Sequence, residues 1–261
     1  MTVLLLRLAG PLQSWGSAAR FARRTTENAP TKSGVLGLLA AADGRPRTAN
    51  LSDLAALRFG VRIDQPGLRL RDFHTAHHAD SGKAMPLSER FYLADAVFVA
   101  GVEGEQALLH RLYQGLLAPH FLPYLGRRSC PPSRPLDMGP PRADITLEEA
   151  LRTAPWQASP WYQRKLARRK SRNDDAAVPE SLEILVDCPP GQLPHLSLRD
   201  TPVSFDPRHR QYQLRGVLTG RVDPPSSAAP DVSESHDPTT LLRPLDTPAG
   251  TATAENIPRS S

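Results

Sequence analysis

The order of the apolar segments in the first half of the chain limits the fold more than any other feature of the sequence. A buried-strand pattern, VLLLRLAG, precedes a run of helix formers, VLGLLAAA, and alternating residues then flank a Pro66–Gly67 turn. A further strand pattern, FYLADAVFVAG, precedes a helical stripe of leucines between Glu105 and Leu117. This order is compatible with the split βαβ, ferredoxin-like motif, whose open sheet face commonly contacts RNA. The sequence therefore predicts an α+β protein with a ferredoxin-like (RRM-like) core at residues 1–120 and long loops.

The rest of the chain divides into a small β-rich region and a polar tail. Strand patterns recur at Leu182 to Asp187 and at Gln211 to Leu218, which predict a C-terminal region at residues 121–222 that completes the body. Beyond Val222 the chain has no aromatic residue and is rich in Pro, Ser, Thr and Asp. Such a segment cannot bury enough apolar surface to fold, so we expect residues 223–261 to be a disordered tail.

The charge of the chain is distributed unevenly. The net charge is +5, but the tail holds six acidic residues against two arginines, a net of −4, so the body carries +9 (30 basic minus 21 acidic residues). A body this basic is expected to bind a polyanion, and nucleic acid is the commonest in cytoplasm. A solvated basic surface without a partner is the alternative that charge alone leaves open.

Several classes of site and location are not supported. The chain has no secretory signal pattern and no 18-residue apolar segment, so we expect a cytoplasmic protein without membrane contact. Cys130 and Cys188 are far apart and support neither a disulfide framework nor a zinc site. The cluster His74, His77 and His78 lacks an acidic ligand or an HExxH pattern, so neither a metal nor another cofactor is predicted.

The stretch NAPTKSG, just before the first predicted helix, combines Thr31, Lys32 and Ser33. It is not a nucleotide-binding P-loop, because threonines Thr26 and Thr31 occupy the two required glycine positions. Unpaired amides at a helix N-terminus beside a lysine form a ready phosphate site. The alternative is an ordinary capped helix.

Three other segments interleave aromatic and basic residues. The loop after the first strand holds Trp15, Arg20, Arg23 and Arg24, the residue types that stack on and grip single-stranded RNA; a loop pinned by a buried Trp15 is the alternative. A second loop has basic residues that could bind a phosphate. The basic run Arg164 to Arg172 is either a surface that follows a nucleic acid backbone or a solvated segment. The residues of the second loop are Tyr124, Arg127, Arg128 and Ser129.

Five blocks together carry a family resemblance. They are LLLRLAGPLQSWG, PTKSGVLGLLAA, LRDFHT, YLADAVFVA and PYLGRRSCP, in that order along the chain. With them the chain resembles the CasD branch of the Cas-five family, the CRISPR-associated RAMP proteins of type I-E Cascade, from its amino terminus to about Val222.

The resemblance implies a non-catalytic subunit that holds the 5′ handle of the guide (CRISPR) RNA and caps one end of the Cascade surveillance complex in antiviral defence. Its neighbours would be a CasC-like backbone subunit and a CasA-like large subunit, and target DNA would be reached only indirectly, through the complex. The residues implied to face RNA are Trp15, Arg20, Arg23, Arg24, Thr31, Lys32, Ser33, Arg71, His74, Tyr124, Arg127, Arg128 and Ser129.

Two other functions remain open from the sequence. Type I-C relatives cleave repeat RNA without metal, and His74 and Tyr92 would be the acid/base candidates for such an endoribonuclease here. A stand-alone regulator with an RNA-binding fold is the third interpretation, and partner binding distinguishes it.

Overall fold

The computed structural model describes residues 1–17, 23–170 and 181–224, all within one compact unit. The five helices within these ranges are α1 (Lys32–Ala42), α2 (Ser52–Ala55), α3 (Gln106–Leu117), α4 (Leu147–Thr153) and α5 (Pro160–Lys170). The eleven strands within these ranges are β1 (Thr2–Ala9), β2 (Leu12–Gln13), β3 (Arg23–Arg24), β4 (Arg58–Gln65), β5 (Leu68–His74), β6 (Ser88–Ala94), β7 (Val97–Gly104), β8 (Arg142–Ala143), β9 (Leu182–Asp187), β10 (Leu196–Ser204) and β11 (Gln211–Val222).

A seven-stranded sheet with the order β10-β11-β9-β4-β7-β1-β8 forms the centre of the fold. All its pairings are antiparallel, and β1 pairs with β7 along its full length, from Thr2 opposite Gly104 to Ala9 opposite Val97. The elements β1-α1-β4-β7-α3-β8 follow the βαββαβ chain order of the ferredoxin-like motif. The predicted α+β fold class is confirmed, and this chain order is the one expected of a ferredoxin-like core.

A smaller sheet is built around β6, which is antiparallel to β2 and β5 and parallel to β3. The single strand predicted from Phe91 to Gly101 is in fact divided between the two sheets, as β6 and β7. The division occurs at Asp95, which has a left-handed φ of 55° and donates its backbone N–H to the carbonyl of Pro11. The chain therefore leaves the small sheet and enters the large one within two residues.

Helices cover the large sheet on both faces. α1 and α3 pack on one face, where Leu36, Leu39, Leu109 and Leu112 belong to the larger apolar core. α4 covers β1, β4 and β7 on the opposite face. The sheet face that the ferredoxin-like motif commonly leaves open for RNA is therefore covered here by a helix from the C-terminal half.

Arg62 holds the C-terminal end of α4 against the sheet. Its side chain is fully buried, and Nη1 donates hydrogen bonds to the carbonyls of Leu151 (2.6 Å) and Ala154 (2.7 Å). Asp64 compensates the charge by accepting from Nε at 2.7 Å and from Nη2 at 2.9 Å. Burial raises the pKa of Asp64, and the Arg62 hydrogen bonds oppose that shift.

The C-terminal strands continue the same sheet, because β9 pairs with β4 and β11 pairs with β9. Both predicted regions thus contribute strands to one sheet, and the boundary at residue 120 stays a prediction. The predicted disordered tail lies outside the described residues, apart from residues 223 and 224. None of the helices in the described part of the chain is long and apolar enough to cross a membrane.

Candidate nucleic-acid interface

An open groove of about 1730 Å³ lies between α1, the loop that follows α3 and the β10–β11 hairpin. Its lining contains eight arginines, and among the described residues that line it there is no aspartate or glutamate. Neighbouring guanidinium groups with no carboxylate between them produce a positive potential that attracts an anion. The arginines are Arg24, Arg45, Arg47, Arg127, Arg128, Arg199, Arg208 and Arg210.

Five of these arginines are free to bind a ligand. Each is exposed, and its side chain makes neither a hydrogen bond nor an ion pair with any residue in the described ranges. Arg45, by contrast, is held by Asp43 and Asp53, and the hydrogen bond to Asp53 raises its pKa. The five free arginines are Arg47, Arg128, Arg199, Arg208 and Arg210.

Aromatic side chains lie among the arginines. Phe121 and Tyr124 come from the loop after α3, and Phe205 and Tyr212 come from the β10–β11 hairpin. The rings of Phe205 and Tyr212 are 6.5 Å apart and tilted by 55°. Rings of this kind stack on unpaired bases, while neighbouring guanidinium groups bind phosphates. The groove thus has the chemistry that single-stranded RNA requires.

Lys32 has a different role from the predicted one. Its side chain is buried, and Nζ lies 2.9 Å from Oδ2 of Asp187. The backbone N–H of Lys32 donates to Oδ2 of Asp200 at 2.8 Å, so a carboxylate of the chain itself occupies the N-terminus of α1. The phosphate seat predicted at this turn is therefore wrong for Lys32, which belongs to an internal ion cluster. Of the three predicted residues of the turn, Thr31 and Ser33 line the groove and Lys32 does not.

Arg215 completes this cluster. Its Nε and Nη2 donate to the two oxygens of Asp200 at 2.7 and 2.9 Å, and its Nη1 donates to Asp187 at 2.6 Å. Burial by itself would lower the pKa of Arg215, but the hydrogen bonds to Asp200 and Asp187 raise it. Two carboxylates thus balance Arg215 and Lys32, and β9, β10 and β11 are joined to the start of α1.

Trp15 is a core residue, as the alternative interpretation of its loop expected. It is fully buried, its Nε1 donates to Oε1 of Gln13 at 3.1 Å, and its ring lies against α1. A Cβ at Gly34 would approach that ring to 2.7 Å. The indole therefore supports the wall of the groove and presents no face for stacking on a base.

Arg24 and Arg127 belong to a group of arginines at the edge of the groove, where the small sheet meets the loop at residues 123–131. Arg127 packs over the ring of Tyr92 at 4.8 Å and donates from Nη2 to the carbonyl of Arg24. Arg24 is paired in the β-ladder with Arg90. Nη1 of Arg127 and Nε of Arg90 are buried without a hydrogen-bond partner among the described residues. Both guanidinium groups therefore lack one of the partners that buried donors normally have.

The other predicted residues that the structure describes do not line the groove. Arg71 and Arg23 both contact Glu89, Nε2 of His74 lies 2.9 Å from Oδ2 of Asp72, and Ser129 is exposed beside Cys130. Arg20 lies outside the described residues. The seven predicted residues that the groove does bring together are Trp15, Arg24, Thr31, Ser33, Tyr124, Arg127 and Arg128.

The acid/base pair considered for RNA cleavage is not assembled. In the β5–β6 ladder His74 lies opposite Ser88, whereas Tyr92 lies opposite Leu70. Four residues of strand separate them, which is roughly 13 Å. Tyr92 is also buried beneath Arg127. The two side chains therefore cannot act together on one phosphate in this arrangement.

Sequence reasoning missed the C-terminal wall of the groove. Arg208, Arg210 and Tyr212 come from the segment DPRHRQY, and Arg47 comes from GRPRT. Both segments have closely spaced arginines, as does the loop after β1 from which RNA binding was predicted. The same criterion, applied to every loop, would have found them.

The fold and the groove place the chain in a known class of protein. The chain belongs to the family described as CRISPR-associated protein (Cas_Cas5), whose model matches residues 3–218. It is homologous to the CRISPR system Cascade subunit CasD of Escherichia coli (strain K12), with 36% identity over 172 residues, 58% of this chain and 77% of the relative.

Two solved structures share the fold. A structure described as "Crystal structure of Cas protein" is 37% identical, with a TM-score of 0.64, and the match covers 85% of this chain and 95% of that one. A chain of a "CRISPR RNA-guided surveillance complex" is 32% identical, with a TM-score of 0.66, and the match covers 86% and 91% respectively. The predicted family is confirmed.

Proposed function

We propose that this chain is a non-catalytic subunit of a type I-E Cascade complex that holds the 5′ handle of the guide RNA and caps one end of the complex. The observation that carries the proposal is the groove, in which free arginines and aromatic rings meet without a carboxylate. Homology to a Cascade subunit supports guide RNA as the polyanion. The neighbours are a CasC-like and a CasA-like subunit, the location is the cytoplasm, and target DNA is met only through the complex.

The groove suits a single strand better than a duplex. Its rings come from two different walls, the loop after α3 and the β10–β11 hairpin, and a strand lying between these walls can offer bases to both. A duplex presents only base edges, since its bases are stacked on each other. Arg127, which lines the groove, and Arg90 nearby add positive charge at its edge.

The test is to purify the tagged protein from cells that carry its neighbouring genes and to sequence the RNA that accompanies it. We expect guide RNAs that share one constant 5′ handle. The double variant Arg128→Gln/Arg210→Gln should recover less RNA, because two phosphate contacts are lost. In a binding assay with handle RNA its salt slope should fall by about 1.4, the value for two contacts with a single strand.

The matched control is Arg142→Gln/Arg221→Gln, which also removes two positive charges but lies outside the groove. It should recover RNA as the unaltered protein does. Random RNA or no RNA with the unaltered protein would refute the proposed function. Equal losses in the two double variants would refute the assignment to the groove.

A further inference from the structure

α5 carries a basic and aromatic stripe that the groove does not include. Trp161, Arg164, Lys165 and Arg168 occupy positions i, i+3, i+4 and i+7, so they lie on one face of the helix. Trp161 is 46% exposed, and the three basic residues are exposed as well. No residue between 132 and 198 lines the groove, so this stripe is a separate surface among the described residues.

The opposite side of α5 is attached to the body of the protein. Leu166 is only 6% exposed, and the backbone N–H of Ser159 donates to Oε1 of Gln65 at 3.0 Å. Gln163 reaches back to the carbonyl of Ala158 at 2.8 Å. The segment before the helix is tied to the buried Asp64, which accepts from the N–H of Gln157 at 2.6 Å. The helix is thus held at its N-terminal end, and the stripe faces outward.

Two of the charges on this stripe, those of Arg164 and Lys165, are not compensated within the described residues. α5 contains no aspartate or glutamate, and Arg164 and Lys165 make no hydrogen bond or ion pair with any residue the structure describes. α4, in contrast, has Glu148 and Glu149 in its first turn. Exposed cations or a single exposed ring are ordinary on a protein surface, but here the exposed ring of Trp161 lies on the same helix face as the cations.

The indole is held in a defined orientation. The ring of Tyr162 packs edge-on against that of Trp161, with centroids 5.7 Å apart and an angle of 82° between the planes. Arg164 and Lys165 follow within about one turn, 5–6 Å along the helix. An exposed ring beside cations binds single-stranded nucleic acid, because the ring stacks on a base and the cations contact phosphates. A duplex would leave the ring without a partner.

We propose that this face of α5 is a second nucleic-acid-binding surface, specific for single strands, in which Trp161 stacks on a base and Arg164 and Lys165 bind phosphates. The surface is independent of the groove and does not rest on the function proposed for it. Its contribution to binding is sequence-tolerant, because every base has a face on which a ring can stack.

The test uses the full chain and a fluorescein-labelled oligothymidylate of about twelve nucleotides, a length within the usual site size. Arg164→Gln/Lys165→Gln should weaken the affinity at least about fivefold and reduce the salt slope by about 1.4. Trp161→Ala should cost about fivefold or more, whereas Trp161→Phe, which keeps a ring, should stay within about twofold. The charge-matched control Arg142→Gln/Arg221→Gln should change the affinity and the salt slope less than Arg164→Gln/Lys165→Gln does.

Crosslinking separates this surface from the groove. An oligothymidylate substituted with 5-iododeoxyuridine should crosslink on irradiation to the peptide that contains Trp161. The crosslink should persist in Arg128→Gln/Arg210→Gln and disappear in Arg164→Gln/Lys165→Gln. Crosslinks confined to groove peptides would overturn the proposal, as would equal competition by a duplex of the same length. A failure of guide RNA to accompany the protein would leave these results unaffected.

Discussion

Asp200 is the residue on which the N-terminal end of α1 depends. Its carboxylate is fully buried and accepts three hydrogen bonds, one from the backbone of Lys32 and two from Arg215. A carboxylate at this position interacts favourably with the helix dipole in the way that a bound phosphate would. The residue therefore gives the helix an internal anion and leaves RNA to be bound by side chains farther along the groove.

Replacing Asp200 should destabilise the fold strongly. In Asp200→Ala the buried guanidinium of Arg215 loses its bidentate partner, and removal of one partner from a buried pair costs about 3–5 kcal/mol. Urea unfolding monitored by circular dichroism measures this change. Asp72→Ala, which removes a surface partner of His74, should cost less than about 1 kcal/mol. Equal losses in the two variants would contradict the role given to the cluster.

At the scale of elements, the contact between α4 and the large sheet depends on two glycines. A Cβ at Gly101 would approach Leu147 to 2.7 Å, and a Cβ at Gly60 would approach Leu151 to 2.8 Å. The helix therefore lies close to the strands because β4 and β7 each present a residue without a side chain. This close contact covers the sheet face on which an RNA-binding ferredoxin-like fold usually binds its ligand.

Gly101→Ala should lower the free energy of unfolding by about 1–3 kcal/mol, because the added methyl group overpacks the interface. The control is Gly220→Ala in β11, where the added Cβ meets no atom within 4 Å. Thermal unfolding of both variants makes the comparison. A melting temperature for Gly101→Ala equal to that of the control would show that α4 adjusts without cost.

The elements differ in how well the sequence predicts them. β1 and α1 are continuous apolar runs and α3 carries a leucine stripe, and the order of these segments was sufficient to predict the fold class. β10 was not predicted, because it contains Asp200 and Pro202 and lacks an apolar alternation. The burial of Lys32 could not be predicted either, since its partner Asp187 is distant in the sequence and reaches it only through the pairing of β9 with β4. Contacts of this kind depend on topology, and local pattern carries no signal for them.

The stability of the whole molecule should depend on pH through the pair between Arg45 and Asp53, which joins the segment after α1 to α2. The hydrogen bond from Arg45 lowers the pKa of Asp53. Because the pKa of Asp53 is lower in the folded state, its ionised form stabilises the fold at pH values above about 4, the ordinary pKa of aspartate. This stabilisation is lost as the pH falls through the lowered pKa of the folded state. Asp53 is 42% exposed, so solvent screening keeps the contribution below about 1 kcal/mol.

Asp53→Asn should therefore be less stable than the unaltered protein at neutral pH, and the difference should narrow as the pH falls below about 4. Urea midpoints measured across this range give the comparison. Asp80→Asn, at a carboxylate that is 93% exposed, should show no such trend. A difference for Asp53→Asn that is constant with pH would contradict the assignment.

The insertion of β9 beside β4 determines when the molecule can be completed during its synthesis. β4 ends at Gln65, but its neighbour β9 begins at Leu182. At a translation rate of about 5–20 residues per second, the free edge of β4 waits roughly 6–25 seconds for its partner. An unpaired edge is a template for pairing with another chain. Each nascent molecule therefore passes through an interval on the polysome in which the edge of β4 is open to a neighbouring nascent chain.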